Sequence, residues 1–183
     1  MKSFLMGIAS FLFAMYFFLF LHDYNINKYY LEELKFTCEE ASAAGSLFID
    51  WEEYGEGIIV FNYTESEKAI YNVIATKLKY DLNQDTFEMT LTENSYWKDN
   101  NIEVDIVFYD QSNLSNNNVE PPENGENFPI PGIEKITGKP ITEPSVVVKI
   151  NAGKPNYKLK FLNINDNIRS SGHAWRPWGE DGT

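Results

Sequence analysis

Cysteine is almost missing from these 183 residues: Cys38 is the only one. That excludes an intrachain disulfide and any cysteine-rich zinc site. Histidine is nearly as scarce, with His22 and His173 close to opposite ends of the chain. Positive charge is also short, with 15 Lys and Arg against 27 Asp and Glu and a formal net charge of −12. Such a surface repels phosphate backbones, and no local basic cluster offsets it, so nucleic-acid partners are excluded. None of G-x-S-x-G, H-E-x-x-H, the P-loop or G-x-G-x-x-G occurs. No catalytic, cofactor-binding or metal-binding residue is therefore assigned, and enzymatic activity is not expected. Asp99, Asn101, Glu103 and Asp105 do alternate oxygen ligands as a calcium loop opens, but its sixth position is Val104, where that loop needs glycine. Alternate acids on a strand face solvent, and a hairpin turn is the preferred reading.

Glycine and proline are absent from Ile8 to Ala44, and charge is absent from Phe4 to Leu21. Eighteen uncharged residues form about 27 Å of helix, close to a bilayer's hydrocarbon thickness. Only a helix satisfies the backbone of such a segment without water. A removable signal needs small residues soon after its apolar core. Here the core runs into His22-Asp23-Tyr24-Asn25, and the first Ala-x-Ala is Ala41-Ser42-Ala43. Residues 1–22 are therefore expected to be a retained single-pass anchor in the cell membrane. Lys2 and the terminal amine favour a cytoplasmic N-terminus and an extracytoplasmic C-terminal domain.

Residues 23–183 are expected to form that domain. Ile26, Tyr30, Leu34, Cys38, Ala41, Ala44 and Phe48 recur in steps of three and four, extending the anchor into one helix of about forty residues with an amphipathic second half. Thr64 and Glu67 form a capping-box pattern opening a second helix, with Ile70, Tyr71, Ile74 and Leu78 on its packing face. Phe87, Met89 and Leu91 alternate with polar residues, as do Ile102, Val104, Ile106 and Phe108. These read as one hairpin, and Val146–Ile150 with Tyr157–Ile164 as a second. The fold class is thus α+β: a long N-terminal transmembrane and amphipathic helix, and a second helix packed on an antiparallel sheet of about four strands. Residues 111–144, rich in Asn, Glu and Pro, are expected to be a mobile loop. Arg169, His173, Trp175, Arg176 and Trp178 offer either a partner surface or a terminal strand closing the sheet, the latter slightly favoured.

The layout of a half-lipid, half-amphipathic helix carrying an α+β domain resembles type IV pilin-like subunits. The run EEASAAGSLFIDWEEYGEGIIVFNYTESEKAIYNVIATKLKYD is similar to TadE-like and related pilin-like proteins of Gram-positive bacteria, over roughly the first 80 residues. Counting from Gly7, the position where prepilins carry glutamate is Leu12. The resemblance implies a minor or anchored structural component of a surface appendage or secretion apparatus. Its partners would be the membrane and other copies or related subunits, met through the N-terminal helix. The assembly face would comprise Gly7, Ser10, Ala14, Ile26, Tyr30, Leu34 and Cys38. The rival reading is a membrane-tethered binding module that presents Gln111–Pro144 and Ile168–Thr183.

Overall fold

The computed structural model describes residues 2–98, 102–112, 136–159 and 167–177. Its first element, α1, is one unbroken helix from Lys2 to Ser46. Freedom from glycine and proline across its middle is what allows 45 residues to continue without a kink. The first half is apolar enough and long enough to cross a membrane, and none of it is covered by the rest of the chain. The second half is the spine of the domain. A short helix α2 (Trp51–Gly55) follows, opened by Asp50, whose carboxylate accepts from the Glu52 and Glu53 amides. Then comes α3 (Tyr63–Leu78), closed by Lys79 in the left-handed conformation.

The cap of α3 differs from the expected one. Asn62, not Thr64, accepts from the Glu65 amide at 3.2 Å, and Thr64 is already the second helical residue. Asn satisfies the orphan N-terminal amides as well as Thr does, so the helix simply begins two residues earlier.

Among the described residues five strands follow in two antiparallel sheets, rather than about four in one. β1 (Tyr80–Leu82) pairs with β2 (Met89–Leu91), and β3 (Glu103–Tyr109), β4 (Ser145–Asn151) and β5 (Ile168–Ala174) form a second sheet with β4 in the middle. Both expected hairpins are thereby re-partnered. β2 closes on β1 through a tight turn in which Asn83 accepts from the Asp85 amide, and a short loop loses less entropy than a long one. Phe87 breaks its alternation by adopting φ +56° and stacks on Tyr71 of α3 instead. β4 gives one edge to β3 and the other to β5, so Tyr157–Leu159 has no place in the ladder. That segment runs to the middle of α1, at the base of the domain, where the Leu159 amide donates to Asp23. Residues 160–166 lie outside the described residues, as do Asp99, Asn101 and Trp178.

The tail closes the sheet. Ile168–Ala174 pairs with β4 along its whole length, from Asn151↔Ile168 to Ser145↔Ala174. α1 lies across β4 and β5, on the face of Val146, Val148 and Ile150, while Gly172 and Ser170 of β5 face the other side, toward Val147 and the Ile136 carbonyl. α3 then packs mainly beside α1 rather than on the sheet. Leu34, Cys38 and Ala41 meet Ile70, Ile74, Leu78, Val146, Val148 and Ile150 in the main core. β4 is buried on both faces, because Val147 points away into a smaller cluster with Tyr109 and Ile141.

Candidate assembly surface

At about 100° per residue, the inward side of α1's second half is set by Asp23, Asn27, Leu34, Cys38, Ala41 and Gly45. Leu34, Cys38 and Ala41 are wholly covered by the chain's own domain, and Ile26 and Tyr30 are half-buried. Tyr30 lies flat on Tyr96, with ring centroids 3.8 Å apart. Leu34 and Cys38 are therefore core, closed to any partner while the domain is folded. The cause is the sheet and α3, which wrap this half of the helix and need an apolar stripe to close on.

Gly7, Ser10 and Ala14 do remain exposed, but they occupy another side of the helix. Ala14 and Ile26 are twelve residues apart, which turns one from the other by about 120°. The seven predicted positions thus do not share one face. What the outward face carries instead is aromatic. Phe11, Phe18, Tyr29 and Phe36 fall within about 20° of one line, and are 65%, 70%, 62% and 60% exposed. Tyr29 and Phe36 were hidden in the sequence among Lys28, Glu32, Glu33 and Lys35. The signal that finds them is their seven-residue spacing, which keeps two residues on one side of a helix just as three-and-four steps do.

At the base of the domain, Asp23 is buried and accepts from the Leu159 amide at 2.8 Å. Around it Asn27 Oδ1, Tyr96 Oη and Tyr157 Oη are buried without a hydrogen-bond partner among the described residues, the kind of setting ordered water completes. Burial, with the nearby Asp23 carboxylate as a lesser cause, pushes both tyrosine hydroxyls above their ordinary range. Near the far end, Asp110 is wholly buried and saturated. It accepts from the Phe61 amide at 3.1 Å, from Tyr63 Oη at 2.8 Å, and from the Ser112 amide and hydroxyl. A carboxylate engaged in this way ties two loops together and has no capacity left for chemistry.

Cys38, Glu103 and Asp105 are likewise engaged. Cys38 donates its S–H to the Arg169 carbonyl at 3.3 Å, and burial pushes its pKa up to about 12. A thiol so raised is no nucleophile at neutral pH. His173 lies on β5 and is shifted down by burial and by Arg176. Glu103 accepts from Asn151, and Asp105 pairs with Lys149 at 2.6 Å across the sheet. Among the described residues no group of three or more His, Cys, Asp or Glu is placed to hold a metal ion. The described ends of the 111–144 stretch are tied in: Gln111 accepts from the Ile59 amide, Ile141 is buried, and the Pro144 carbonyl accepts from Trp175. Comparison with protein-family models, with curated proteins and with solved structures gives no match to this chain.

Proposed function

We propose that this chain is a membrane-anchored, pilin-like structural component that works by assembly rather than by chemistry. One observation carries the reading: the segment fit to cross a membrane and the spine of the folded domain are the same helix, with an exposed aromatic line down its outer side. Phe11 and Phe18 would lie in lipid and Tyr29 and Phe36 above it, so one face runs without a break from bilayer to water. Aromatic residues in water favour coverage, and a second copy standing parallel in the same membrane presents the matching line at the matching height. The resemblance to TadE-like and pilin-like subunits points the same way. With an N-terminus in the cytoplasm, the domain stands outside the cell.

Cysteine crosslinking tests this. In membranes carrying the Cys38→Ser chain, oxidation of Tyr29→Cys and Phe36→Cys should give disulfide-linked dimers. Lys28→Cys and Lys35→Cys, exposed but turned about 100° away, should stay monomeric. Equal crosslinking at all four positions, or none at any, would overturn the assembly reading in favour of a tethered binding module.

A further inference from the structure

The end of the domain farthest from the apolar segment carries a second exposed patch, unrelated to the outer face of α1. Between Leu47 and Ile58 the chain leaves α1, forms α2 and turns back, and five of those residues are large, apolar and uncovered. Trp51 is 68% exposed and Leu47 61%, with Phe48, Tyr54 and Ile58 each more than a third exposed. Trp51 meets Tyr54 edge-on at 5.7 Å, and Tyr54 meets Trp175 at 5.6 Å, which makes a chain of three aromatic rings. Trp175 in turn lines a groove of about 320 Å³ with Ile59, Glu143, Pro144, Arg176 and Pro177. Solvent-exposed tryptophan set among other apolar residues is typical of protein contact surfaces and unusual elsewhere.

The charge around the rings selects the partner. From Phe36 to Glu67 there is neither lysine nor arginine, while Asp50, Glu52, Glu53 and Glu56 surround Trp51 and Tyr54 in sequence. Glu52, Glu53 and Glu56 are exposed, and Glu143 stands on the groove wall. Arg176 also lines the groove. Aromatic faces attract cations, and carboxylates beside them add to that attraction. An anionic lipid surface would meet these same carboxylates and be repelled, and a second copy would bring its own.

We propose that this tip, Leu47–Ile58 with Trp175, is a docking surface for a lysine- or arginine-bearing segment of another protein. Cationic side chains stack on Trp51 and Tyr54 and pair with Glu52, Glu53 and Glu56, while apolar neighbours in the segment cover Leu47 and Phe48. The proposal is independent of assembly through α1, whose outer face plays no part in it.

The test uses the full chain in nanodiscs of zwitterionic lipid and a fluorescent peptide of six lysines and two leucines. Saturable binding is expected, weakened at least fivefold by Trp51→Ala. The triple variant Glu52→Gln, Glu53→Gln, Glu56→Gln should weaken it as much. Removing the same number of charges from the exposed acids Asp81, Asp85 and Glu88 should change it less than twofold. All tip positions are solvent-facing, and unchanged melting temperatures would show that the variants remain folded. Several results would overturn the proposal: no binding, equal losses from both triple variants, or an unaffected Trp51→Ala. So would preference for the glutamate counterpart of the peptide or for a soluble glycan, or self-association that Trp51→Ala abolishes.

Discussion

Gly45, one residue before α1 ends, sits where helix, second helix and sheet converge. A methyl group built there would stand 2.6 Å from Cδ1 and 2.8 Å from Cγ1 of Ile70, which is itself fully buried. The hydroxyl of Ser66 donates to the Gly45 carbonyl at 2.9 Å, so α3 cannot simply slide away. Gly45→Ala should therefore destabilise by overpacking, about 1–3 kcal/mol, partly offset by alanine's better helix propensity of about 1 kcal/mol. Thermal unfolding in detergent should show a loss of a few degrees, and Ile70→Val added to it should recover part. Gly7→Ala, with open space around it, should leave the melt unchanged. A rise in melting temperature for Gly45→Ala would refute the close contact. Cys38 gives a second prediction at this scale. Burial raises its folded pKa from the ordinary thiol range to about 12, so the unfolded chain releases the thiol proton first. Stability from this group is intact below about pH 9 and declines as pH climbs from there towards 12. Melts of the parent chain and of Cys38→Ala, compared from pH 8 to 10, should diverge in slope above pH 9; parallel curves would contradict the assignment.

The helices obey their sequence periods better than the strands do. Ile70, Ile74 and Leu78 were legible as the inner face of α3 and are buried as expected, against α1 as well as the core. Truncating Ile74 to Ala should cost about 2–5 kcal/mol and lower the melting temperature by about 4–20 °C. Lys77→Ala removes only an exposed pair with Glu40, worth about 0–1 kcal/mol, and should barely register; equal losses would mean the packing face is misplaced. Strand partners were not legible, because alternation identifies a strand but says nothing about its neighbour. Met89–Leu91 and Glu103–Tyr109 each alternate, yet they belong to different sheets. β5 shows the opposite failure. Arg169, Ser170, Ser171, Gly172 and His173 have no apolar period, since what this strand contributes is chiefly backbone pairing with β4 along its whole length. The sequence offered two readings of this tail, a partner surface or a strand closing the sheet, with only a slight preference for the second.

For the whole molecule, the α+β class and the long first helix followed from the sequence, and the outward face did not. The apolar steps from Ile26 to Cys38 were legible as a stripe, but a stripe can face either a partner or its own domain, and only the wrapped sheet decides between them. The aromatic line and the distal tip emerge once that inward side is fixed. One further property comes from α1 having no break between Lys2 and Ser46. A chain with a hinge after its apolar segment would let its domain wander; here, with that segment in a bilayer as proposed, the domain would have to follow it. Transmembrane helices tilt by about 20° on average, and an apolar stretch longer than the hydrocarbon is thick accommodates by tilting. The part of α1 beyond Leu21 is about 37 Å long, so a tilt of about 20° swings its far end roughly 13 Å sideways. Anchored as proposed, the molecule would act as a lever: a bilayer that thins or thickens beneath it would relocate the tryptophan-bearing tip, with no change inside the domain at all.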